Sequence, residues 1–481
     1  MDDFKVRNLT LLVDFYELTM AHGYLKNGKA DTITQFDMFF RDIPDNGGFA
    51  IMAGVEQLVE YLQNLRFSED DIEYLRKRGF CEEFLDYLRN FRFECDVYAV
   101  PEGTPIFPRE PIVTVKGPAI QVQFIETMVL VSINHQSLIA TKANRIVRAA
   151  QGRAIMEFGS RRAQGFDGAV YGARAAYIGG CAGTACVMDD IQFGIPALGT
   201  MAHSWIQLFD TEFEAFCAYA RVYPDDCTLL VDTYNVLQSG IPNAIKAFNQ
   251  EVLPKGFRPK GIRIDSGDLT YLSKKARAML DEAGFEDVKI IASNALDEYI
   301  IRDMLLQGAE VDSFGVGERL ITASSAPVFG GVYKLCAVEK NGEMIPKIKL
   351  SENAAKVTVP GAKKLWRFYD NETGKALADL ITLEDEDVDD SDTYEIFDPD
   401  FTWKRKNVYN FTARQLLEPL FIKGECVYKH RDVKEIQSYC LNQIDMLWDE
   451  VKRFENPHKY YVDLSQKLWD MKDEMVKKHN R

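Results

Sequence analysis

The most constraining feature of this sequence is a series of short apolar segments in its central part. Each segment is followed by a polar or glycine-rich turn and then by a helical pattern, and the segments end about thirty residues apart, the length of one strand–helix unit. The strand candidates are AIMEF (154–158), IPALG (195–199), CTLLVD (227–232), GIRID (261–265), VKIIAS (288–293) and VDSFG (311–315). Continuously apolar strands joined by helices predict a parallel sheet that is covered on both faces.

The number of these units decides between the known parallel architectures. Six or seven units are too many for a small flavodoxin-like sheet and approach an eightfold barrel. We therefore predict an α/β protein with an irregular α/β barrel over residues 131–340, and a doubly wound sheet is the alternative. Residues 1–130 mix helix and strand patterns and predict an α+β N-terminal domain. Residues 341–481 lose the periodicity and predict a C-terminal strand-and-helix extension.

Several individual elements can be predicted from apolar spacing and turn residues. The predicted helices are one that follows Gly54, then Glu82–Asn90, Asn243–Glu251, Tyr271–Ala283, Asp297–Leu306 and residues 438–454. The predicted strands outside the barrel are residues 96–100, residues 111–117 and a strand–turn–strand over 356–370. The segment 384–392 holds seven carboxylates and predicts a solvated loop, with a metal site as the less favoured interpretation.

Charge and cysteine usage exclude several classes of protein. Acidic residues outnumber basic residues 73 to 57, for a net charge of −16, which argues against a chain that coats nucleic acid. A few arginines in one cleft can still bind an anion locally. The acidic N-terminal sequence predicts no signal peptide, and no apolar run is long enough for a membrane span. Nine cysteines without a CxxC pair predict reduced thiols in a cytoplasmic protein.

Polar residues follow every candidate strand, where the active sites of α/β barrels form. These segments are Gly159–Arg162, Thr200–Ser204, Asp232–Asn235, Arg263–Asp268, Ser293–Asn294 and Gly315–Arg319. Asp232 and Asp265 both end apolar strands, where a carboxylate needs a partner, a cleft, sugar hydroxyls or Mg²⁺. His203 follows a strand end and precedes a helix, which favours it over the other five histidines as a functional residue.

Other strand-end residues fit phosphate or carboxylate binding, each with a plain structural alternative. Gly315 and Gly317 can aim backbone N–H groups at an anion, or simply form a turn. Ser266 or Asp268 caps the next helix, and the same region, with Gly267, can bind phosphate or ribose hydroxyls. The adjacent residues 161 and 162 are arginines, suited to a bidentate anion contact or to surface ion pairs.

These patterns together predict an enzyme that acts on a phosphorylated, polyanionic small molecule, with Mg²⁺. The reaction does not follow from them.

The chain resembles the nicotinate phosphoribosyltransferase family over nearly its whole length. The matching segments are LLVDFYELTMAHGY (11–24), EFGSRRAQG (157–165), GTMAHSW (199–205), LLVDTYN (229–235), GIRIDSGDL (261–269), IIASNALDE (290–298), FGVGERLIT (314–322) and GGVYKLCAV (330–338). The resemblance implies transfer of the phosphoribosyl group of phosphoribosyl pyrophosphate to nicotinate. It also implies coupled ATP hydrolysis, Mg²⁺, a role in NAD biosynthesis and a homodimer with shared active sites.

The resemblance also implies a role for each matching residue. His203 resembles the histidine that ATP phosphorylates, and Asp232 and Asp265 resemble acidic residues near ribose, pyrophosphate and Mg²⁺. The expected substrate contacts are Tyr16, Phe158, Arg161, Arg162, Thr200 and Arg263, with Tyr16 and Phe158 sandwiching the pyridine ring. The expected phosphate contacts are Ser266, Gly267, Ser293, Asn294, Gly315 and Gly317.

Two positions bear on the substrate specificity and on the match of this sequence to the family. Nicotinamide-specific relatives carry an aspartate where this chain has Ala185, and removal of that charge favours an acid over an amide. Glu318 departs from the small hydroxyl residue of several relatives, so its side chain is not expected to bind phosphate. It should point away, bind metal or pair with Arg319.

Three interpretations stay open at this point. The first is a nicotinate phosphoribosyltransferase, which accounts for all eight motifs. The second is a nicotinamide or quinolinate phosphoribosyltransferase. Ala185 argues against nicotinamide, whereas quinolinate carries two carboxylates, should demand a more basic pocket and involves decarboxylation. The third is a barrel that binds phosphosugars without this activity, or a phosphosugar isomerase.

Overall fold

The computed structural model describes residues 7–352 and 356–479, and the chain divides into two compact units. Met1–Leu138 and Val328–Arg481 form one unit, which we call the split unit, and Ile139–Pro327 form the other, which we call the barrel unit. Residues from both ends of the chain therefore share one unit. The division into domains 1–130, 131–340 and 341–481 stays a prediction.

In the described part of the chain the helices are α1 Phe15–Lys26, α2 Val55–Asn64, α3 Glu69–Lys77, α4 Glu82–Arg89, α5 Ala119–Phe124, α6 Glu126–Ala149, α7 Gly165–Ile178, α8 Val187–Phe193, α9 His203–Gln207, α10 Glu212–Val222, α11 Ile241–Ala247, α12 Leu269–Glu282, α13 Glu298–Leu306, α14 Glu318–Ile321, α15 Val433–Asp445 and α16 Gln466–His479. The 3₁₀ turns are Pro44–Asn46, Ser160–Arg162 and Leu253–Lys255, and the π-helical turns are Val236–Gly240 and Phe248–Val252.

The strands of the described residues are β1 Ile33–Phe39, β2 Ala50–Ile51, β3 Asp96–Ala99, β4 Pro105–Ile106, β5 Val113–Pro118, β6 Ala154–Glu157, β7 Gly183–Thr184, β8 Thr228–Leu230, β9 Gly261–Ile264, β10 Lys289–Asn294, β11 Ser313–Val316, β12 Val332–Lys340, β13 Glu343–Pro346, β14 Lys363–Asp370, β15 Ala376–Leu383, β16 Tyr394–Phe397, β17 Arg405–Val408, β18 Phe411–Gln415, β19 Glu418–Ile422, β20 Glu425–Cys426 and β21 Val462–Leu464.

The barrel unit is built on one parallel sheet in the order β7-β6-β11-β10-β9-β8. The step from β6 to β7 and the steps from β8 to β11 run in the same direction, and β11, the last strand, returns beside β6, the first. A doubly wound sheet would reverse direction at a switch point. The order is therefore that of an irregular α/β barrel, with its seam between β7 and β8, and the predicted fold class is confirmed.

Five of the six predicted barrel strands form, and the sixth does not. The segment 195–199 contributes a single parallel bridge, between Ala197 and Thr184. Pro196 has no N–H to donate to a ladder, and its carbonyl accepts the N–H of Thr184 at 3.0 Å. The predicted strand at this position was therefore wrong, and the seam of the barrel lies just beyond it.

Most predicted helices form with small shifts at their ends. The helices that begin after Gly54 and after Asp297 match the prediction, as do α4 and α12. The predicted helix 243–251 is α11 followed by a π-helical turn, and the predicted helix 438–454 is α15, which begins earlier and ends at Asp445. Trp448, beyond that end, donates its indole N–H to the carbonyl of Ala376 at 2.9 Å, which ties the chain to β15 instead of continuing the helix.

The split unit combines strands from both ends of the chain. Its largest sheet has the order β13-β12-β1-β5-β3-β19-β20, so β12 and β19 complete a sheet that the N-terminal strands begin. A second sheet has the order β18-β14-β15-β21. Of the predicted strand–turn–strand over 356–370, only β14 forms among the described residues, and 353–355 lie outside them.

The acidic segment 384–392 is a loop in the structure. Asp385 pairs with Lys467, Asp387 pairs with Lys364 at 2.7 Å, and Asp390 accepts the N–H of Ala413. Within residues 7–352 and 356–479, no cluster of three or more histidine, cysteine or acidic residues is placed to hold a metal ion.

All nine cysteines lie in the described residues, and all are thiols. Among the described helices, none combines the length and the apolar composition that crossing a membrane requires.

A buried ion pair holds the second sheet of the split unit. Arg367 on β14 faces Asp379 on β15 and donates two hydrogen bonds to its carboxylate, at 2.7 and 2.6 Å. The Tyr460 hydroxyl donates to the same carboxylate at 3.0 Å, and both charged side chains are at most 1% exposed. Burial and the Asp379 charge raise the pKa of the neighbouring Glu110 well above its usual range.

We predict that Arg367→Met lowers the free energy of unfolding by about 3–5 kcal/mol, because it leaves the Asp379 carboxylate buried without its cation. Arg405→Met is the matched control, since Arg405 pairs with Glu395 at a half-exposed position and its loss should cost under about 1 kcal/mol. Chemical denaturation of both variants measures the difference. Equal effects would contradict the assignment of Arg367–Asp379 as a structural pair.

Candidate active site

The carboxyl ends of the barrel strands bring most of the predicted site residues to one edge of the sheet. Asp232 follows β8, Asp265 follows β9, Ser293 lies at the end of β10, Gly315 lies in β11 and Phe158 follows β6. Because these strands are parallel and adjacent, their ends face the same side. The side chains are joined by a network of hydrogen bonds.

Asp232 is the centre of this network. One carboxylate oxygen accepts the N–H of Asp265 at 3.0 Å and the hydroxyl of Ser266 at 2.6 Å. The other lies 3.2 Å from Nε2 of His203, and the Asp232 side chain is only 1% exposed. This one buried carboxylate therefore fixes the loop after β9 and the orientation of the His203 ring.

The bond to Asp232 also determines which nitrogen of the His203 ring faces the carboxylate. A carboxylate only accepts hydrogen bonds, so Nε2 is the donor of this bond. His203 is the first residue of α9, its side chain is 40% exposed, and Nδ1 has no hydrogen-bond partner among the described residues. The arrangement is an imidazole held at one nitrogen and open at the other.

Arg263 forms the second part of the network. Its Nε donates to the Ser293 hydroxyl at 2.7 Å, and its Nη2 donates to the Asp265 carboxylate at 2.7 Å. Ser293 in turn donates to the same Asp265 oxygen at 2.5 Å. The remaining nitrogen, Nη1, makes only long contacts of 3.4 Å to Thr200 Oγ1 and to the Met201 carbonyl. One edge of the guanidinium is thus fixed, and the other edge is weakly held.

Phe158 lies against the glycines of β11. Its backbone N–H donates to the Val316 carbonyl at 2.8 Å, and a Cβ on Gly315 would lie 2.5 Å from its ring. A Cβ on Gly317 would lie 2.9 Å from the Phe158 carbonyl oxygen. The Arg263 guanidinium carbon is 5.6 Å from the centre of the Phe158 ring, within cation–π range. Both glycines are therefore needed for the close approach of Phe158.

The structure shows which residue of the loop after β9 caps α12. Asp268 is the cap, and its carboxylate accepts the N–H of Tyr271 at 2.9 Å. Gly267 has φ +84°, which the turn before this cap requires. Asn294, exposed at the end of β10, accepts the N–H of Ala295 at 2.6 Å. The phosphate contacts expected of Ser266, Gly267, Ser293, Asn294, Gly315 and Gly317 stay predictions.

The arginine pair lies on the surface. Arg161 and Arg162 are exposed on the 3₁₀ turn after Phe158, and the Arg162 Nε lies 3.7 Å from the Glu318 carboxylate. Glu318 therefore pairs with Arg162, and the expected partner, Arg319, forms an ion pair with Asp297 instead. Arg161 forms no ion pair with any described residue, so its charge is available in this region.

Tyr16 lies in the other unit, on α1, and its predicted partnership with Phe158 stays a prediction. Its ring is 44% exposed. Partial burial and the nearby Glu126 carboxylate raise the pKa of the Tyr16 hydroxyl.

One functional candidate, Glu157, was not predicted from the sequence. Glu157 ends β6 directly before Phe158, is fully buried, and accepts hydrogen bonds from the Gly159 N–H and from the Thr184 hydroxyl. Burial raises the pKa of Glu157. An acidic residue at the end of an apolar strand was the signal that singled out Asp232 and Asp265, and it applies equally to Glu157.

The fold and the site define a class of protein. The barrel presents three groups at its strand ends: a histidine bonded at one ring nitrogen, a buried aspartate and an arginine. These groups define an enzyme that acts on an anionic small molecule. Three family models match this chain: the nicotinate phosphoribosyltransferase N-terminal domain over residues 11–134, the nicotinate phosphoribosyltransferase family over 153–357 and the C-terminal domain over 362–472.

Individual proteins agree with the family models. The nicotinate phosphoribosyltransferase of Bacillus subtilis is 43% identical over 478 residues, which cover 98% of this chain and 96% of that protein. The human enzyme of the same name is 30% identical over 516 residues, covering 95% of each chain. The crystal structure of human nicotinic acid phosphoribosyltransferase superposes with a TM-score of 0.86 at 28% identity, covering 96% of this chain and 99% of that one.

A more distant structure shares only the fold. The nicotinate-nucleotide pyrophosphorylase of Pyrococcus furiosus has a TM-score of 0.69 at 24% identity and covers 93% of this chain and 99% of that one. The chain belongs to the nicotinate phosphoribosyltransferase family.

We predict that Gly315→Ala lowers kcat/KM for nicotinate by roughly tenfold or more, because the added Cβ displaces the Phe158 ring. Overpacking should also lower the free energy of unfolding by about 1–3 kcal/mol. Gly23→Ala in α1 is the control, since a Cβ there meets nothing within 4 Å. Steady-state kinetics and thermal unfolding of both variants test this. A Gly315→Ala enzyme with unchanged kinetics would show that the ring position is not functional.

Proposed function

We propose that this chain transfers the phosphoribosyl group of phosphoribosyl pyrophosphate to nicotinate, in NAD biosynthesis, and couples the transfer to ATP hydrolysis through His203. Family membership supports the transfer reaction. The observation that carries the coupling is the His203–Asp232 hydrogen bond, because Asp232 also holds the loop after β9. A change at His203 is thereby connected to the residues expected to bind ribose and phosphate.

The pyridine site is proposed to lie between Phe158 and Arg263. The Phe158 ring offers a stacking face, and the weakly held edge of the Arg263 guanidinium can donate to the nicotinate carboxylate. Thr200, beside that edge, is a further hydroxyl partner. The bonds to Ser293 and Asp265 hold the guanidinium in place, which reduces the entropy that binding has to overcome.

The chemistry at ribose needs no protein nucleophile. The pyridine nitrogen attacks C1 as the bond to pyrophosphate breaks, through a transition state with oxocarbenium character. Positioning and electrostatic stabilisation would supply most of the acceleration. Arg161 and Arg162 are the exposed cations proposed to contact the phosphates and carboxylate of the substrates.

ATP is proposed to phosphorylate His203 at Nδ1. The lone pair on Nδ1 forms a bond to the γ-phosphorus, the bond from that phosphorus to the bridging oxygen breaks, and ADP leaves with the electron pair. The Asp232 carboxylate stabilises the charge that develops on the imidazole ring. The phosphoryl group places negative charge beside the site until water removes it as phosphate.

The residues present fit a Mg²⁺ ion that is held mainly by substrate. Asp232 uses both oxygens in hydrogen bonds, whereas one Asp265 oxygen accepts no hydrogen bond from the described residues, and the side chain is 32% exposed. Mg²⁺ commonly takes one or two carboxylates, with phosphate oxygens and water filling the other positions. Bound there, it would neutralise the charge of the leaving pyrophosphate.

A homodimer is proposed for the complete site. Phe15, Tyr16 and Met20 leave apolar surface exposed on α1, and Tyr16 is the residue expected to reach the pyridine ring of a partner subunit. We propose a cytoplasmic location on the composition of the sequence alone.

We predict that His203→Ala lowers nicotinate-stimulated ATP hydrolysis by at least about a hundredfold, the order found when an essential catalytic group is removed. Slow transfer without ATP should remain, since no step at ribose uses the imidazole. Incubation with labelled ATP should place acid-labile phosphate on the wild type and not on the variant. His430→Ala, at an exposed histidine, is the control. Undiminished ATP hydrolysis in His203→Ala would disprove the role.

We predict that Ala185→Asp lowers kcat/KM for nicotinate by at least about tenfold, because a second carboxylate would repel that of the substrate. Ala185→Asn adds a side chain of the same size as aspartate without its charge, so its kcat/KM for nicotinate should fall less. The two variants together separate the effect of charge from the effect of size. Steady-state kinetics of the wild type and both variants, with nicotinate and with nicotinamide as substrate, test this prediction. Comparable kcat/KM for the two pyridines in the wild type would refute the role of Ala185.

A further inference from the structure

Glu157 is a buried carboxyl group that joins two segments of the site. One oxygen accepts the backbone N–H of Gly159, in the turn that follows Phe158. The other accepts the hydroxyl of Thr184 at 2.7 Å, at the end of the neighbouring strand β7. The backbone carbonyl of Glu157 also accepts the N–H of Ala185 at 2.8 Å. One residue thus contacts the turn after the ring and the segment that carries Ala185.

The hydrogen bonds around Glu157 have consistent directions. The Thr184 hydroxyl accepts the N–H of Cys186 at 3.0 Å and donates its own proton to Glu157. Both carboxylate oxygens therefore act as acceptors, and each receives a donor from a different segment. Replacing Thr184 by an isosteric apolar residue would leave a carboxylate oxygen and a backbone N–H without partners.

The turn after Phe158 requires glycine where its backbone contacts Glu157. A Cβ on Gly159 would lie 2.5 Å from the Cβ of Ile321 and 2.7 Å from the Glu157 carboxylate, so only glycine fits there. The position of the turn depends on the contact of its backbone with Glu157.

Glu157 is fully buried at the end of an apolar strand, where removing a carboxylate from water is costly. The donors from Gly159 and Thr184 offset that cost, and they are the groups that tie the two segments to it.

We propose that Glu157, through Thr184, is a positioning residue that sets the distance between the Phe158 ring and the Ala185 segment, and so determines how tightly nicotinate binds. This inference rests on the proposed pyridine site at Phe158. It concerns the pyridine half of the site, so phosphoribosyl pyrophosphate should bind independently of it. Glu157 does not touch the substrate in this proposal and acts through the two segments that it joins.

The first experiment compares Thr184→Val with Thr184→Ser in the full-length enzyme. Valine removes the hydroxyl at nearly constant size, and serine keeps it. We expect the nicotinate KM of Thr184→Val to rise roughly tenfold, the scale of a small displacement in an active site, with the KM for phosphoribosyl pyrophosphate within about twofold of wild type. Thr184→Ser should restore the nicotinate KM. Equal nicotinate KM values in the two variants would overturn the proposal.

The second experiment separates positioning from folding. Glu157→Leu leaves the Gly159 N–H and the Thr184 hydroxyl without an acceptor, so it should lower the unfolding temperature, and it should also raise the nicotinate KM as Thr184→Val does. Glu157→Gln can still accept from Gly159 and donate to Thr184, so it should stay near the wild-type KM. A Glu157→Leu enzyme that loses thermal stability and keeps its nicotinate KM would assign Glu157 a structural role and overturn the proposal.

A third variant distinguishes failure of this proposal from failure of the proposed site. Phe158→Leu should raise the nicotinate KM if the ring stacks on the pyridine. An unchanged nicotinate KM in Phe158→Leu would refute the proposed pyridine site and, with it, the role of Glu157. A raised KM in Phe158→Leu, together with wild-type values in Thr184→Val, overturns the role of Glu157 alone.

Discussion

The arrangement of the barrel edge depends on one buried carboxylate, that of Asp232. It accepts hydrogen bonds from the Asp265 backbone after β9, from the adjacent Ser266 and from His203, so these three donors come from two separate parts of the chain. A carboxylate that leaves water needs such donors, and here the same donors are groups proposed to act in the reaction. Loss of this carboxylate would release all three at once.

The network also explains how an acidic protein can accept anionic substrates. The net charge of −16 opposes the approach of nicotinate and phosphoribosyl pyrophosphate, and of ATP in the proposed coupling, at long range. At the site, Arg263 is held in place with one edge weakly bound, and Arg161 and Arg162 are exposed on the turn after Phe158. Local cations in fixed positions can outweigh a global charge that salt screens over about 8–10 Å. The overall acidity therefore says little about the ligands.

Much of the fold and part of the site could be predicted from the sequence, for reasons that specific residues make clear. Apolar segments and the turns after them located five barrel strands and the edge at which Asp232, Asp265 and Ser293 meet. Periodicity carries no information on partners that are distant in sequence, so it could not pair Arg162 with Glu318 or Ser293 with Arg263. It also could not show that Gly315 makes room for an aromatic ring, because a glycine beside a phosphate and one beside a ring look alike in sequence.

The seam of the barrel has a mechanical consequence. Between Ala197 and β8 the chain makes no ladder with the parallel sheet, and this stretch carries both Thr200 and His203. A shift of its backbone therefore breaks no strand pairing of the barrel, and the attachments at the site are the Asp232–His203 bond and two 3.4 Å contacts to Arg263. The strands β6, β9, β10 and β11, by contrast, each pair with a neighbouring strand on both sides. The discontinuity thus leaves the segment with Thr200 and His203 outside the strand ladders that hold the other parts of the site.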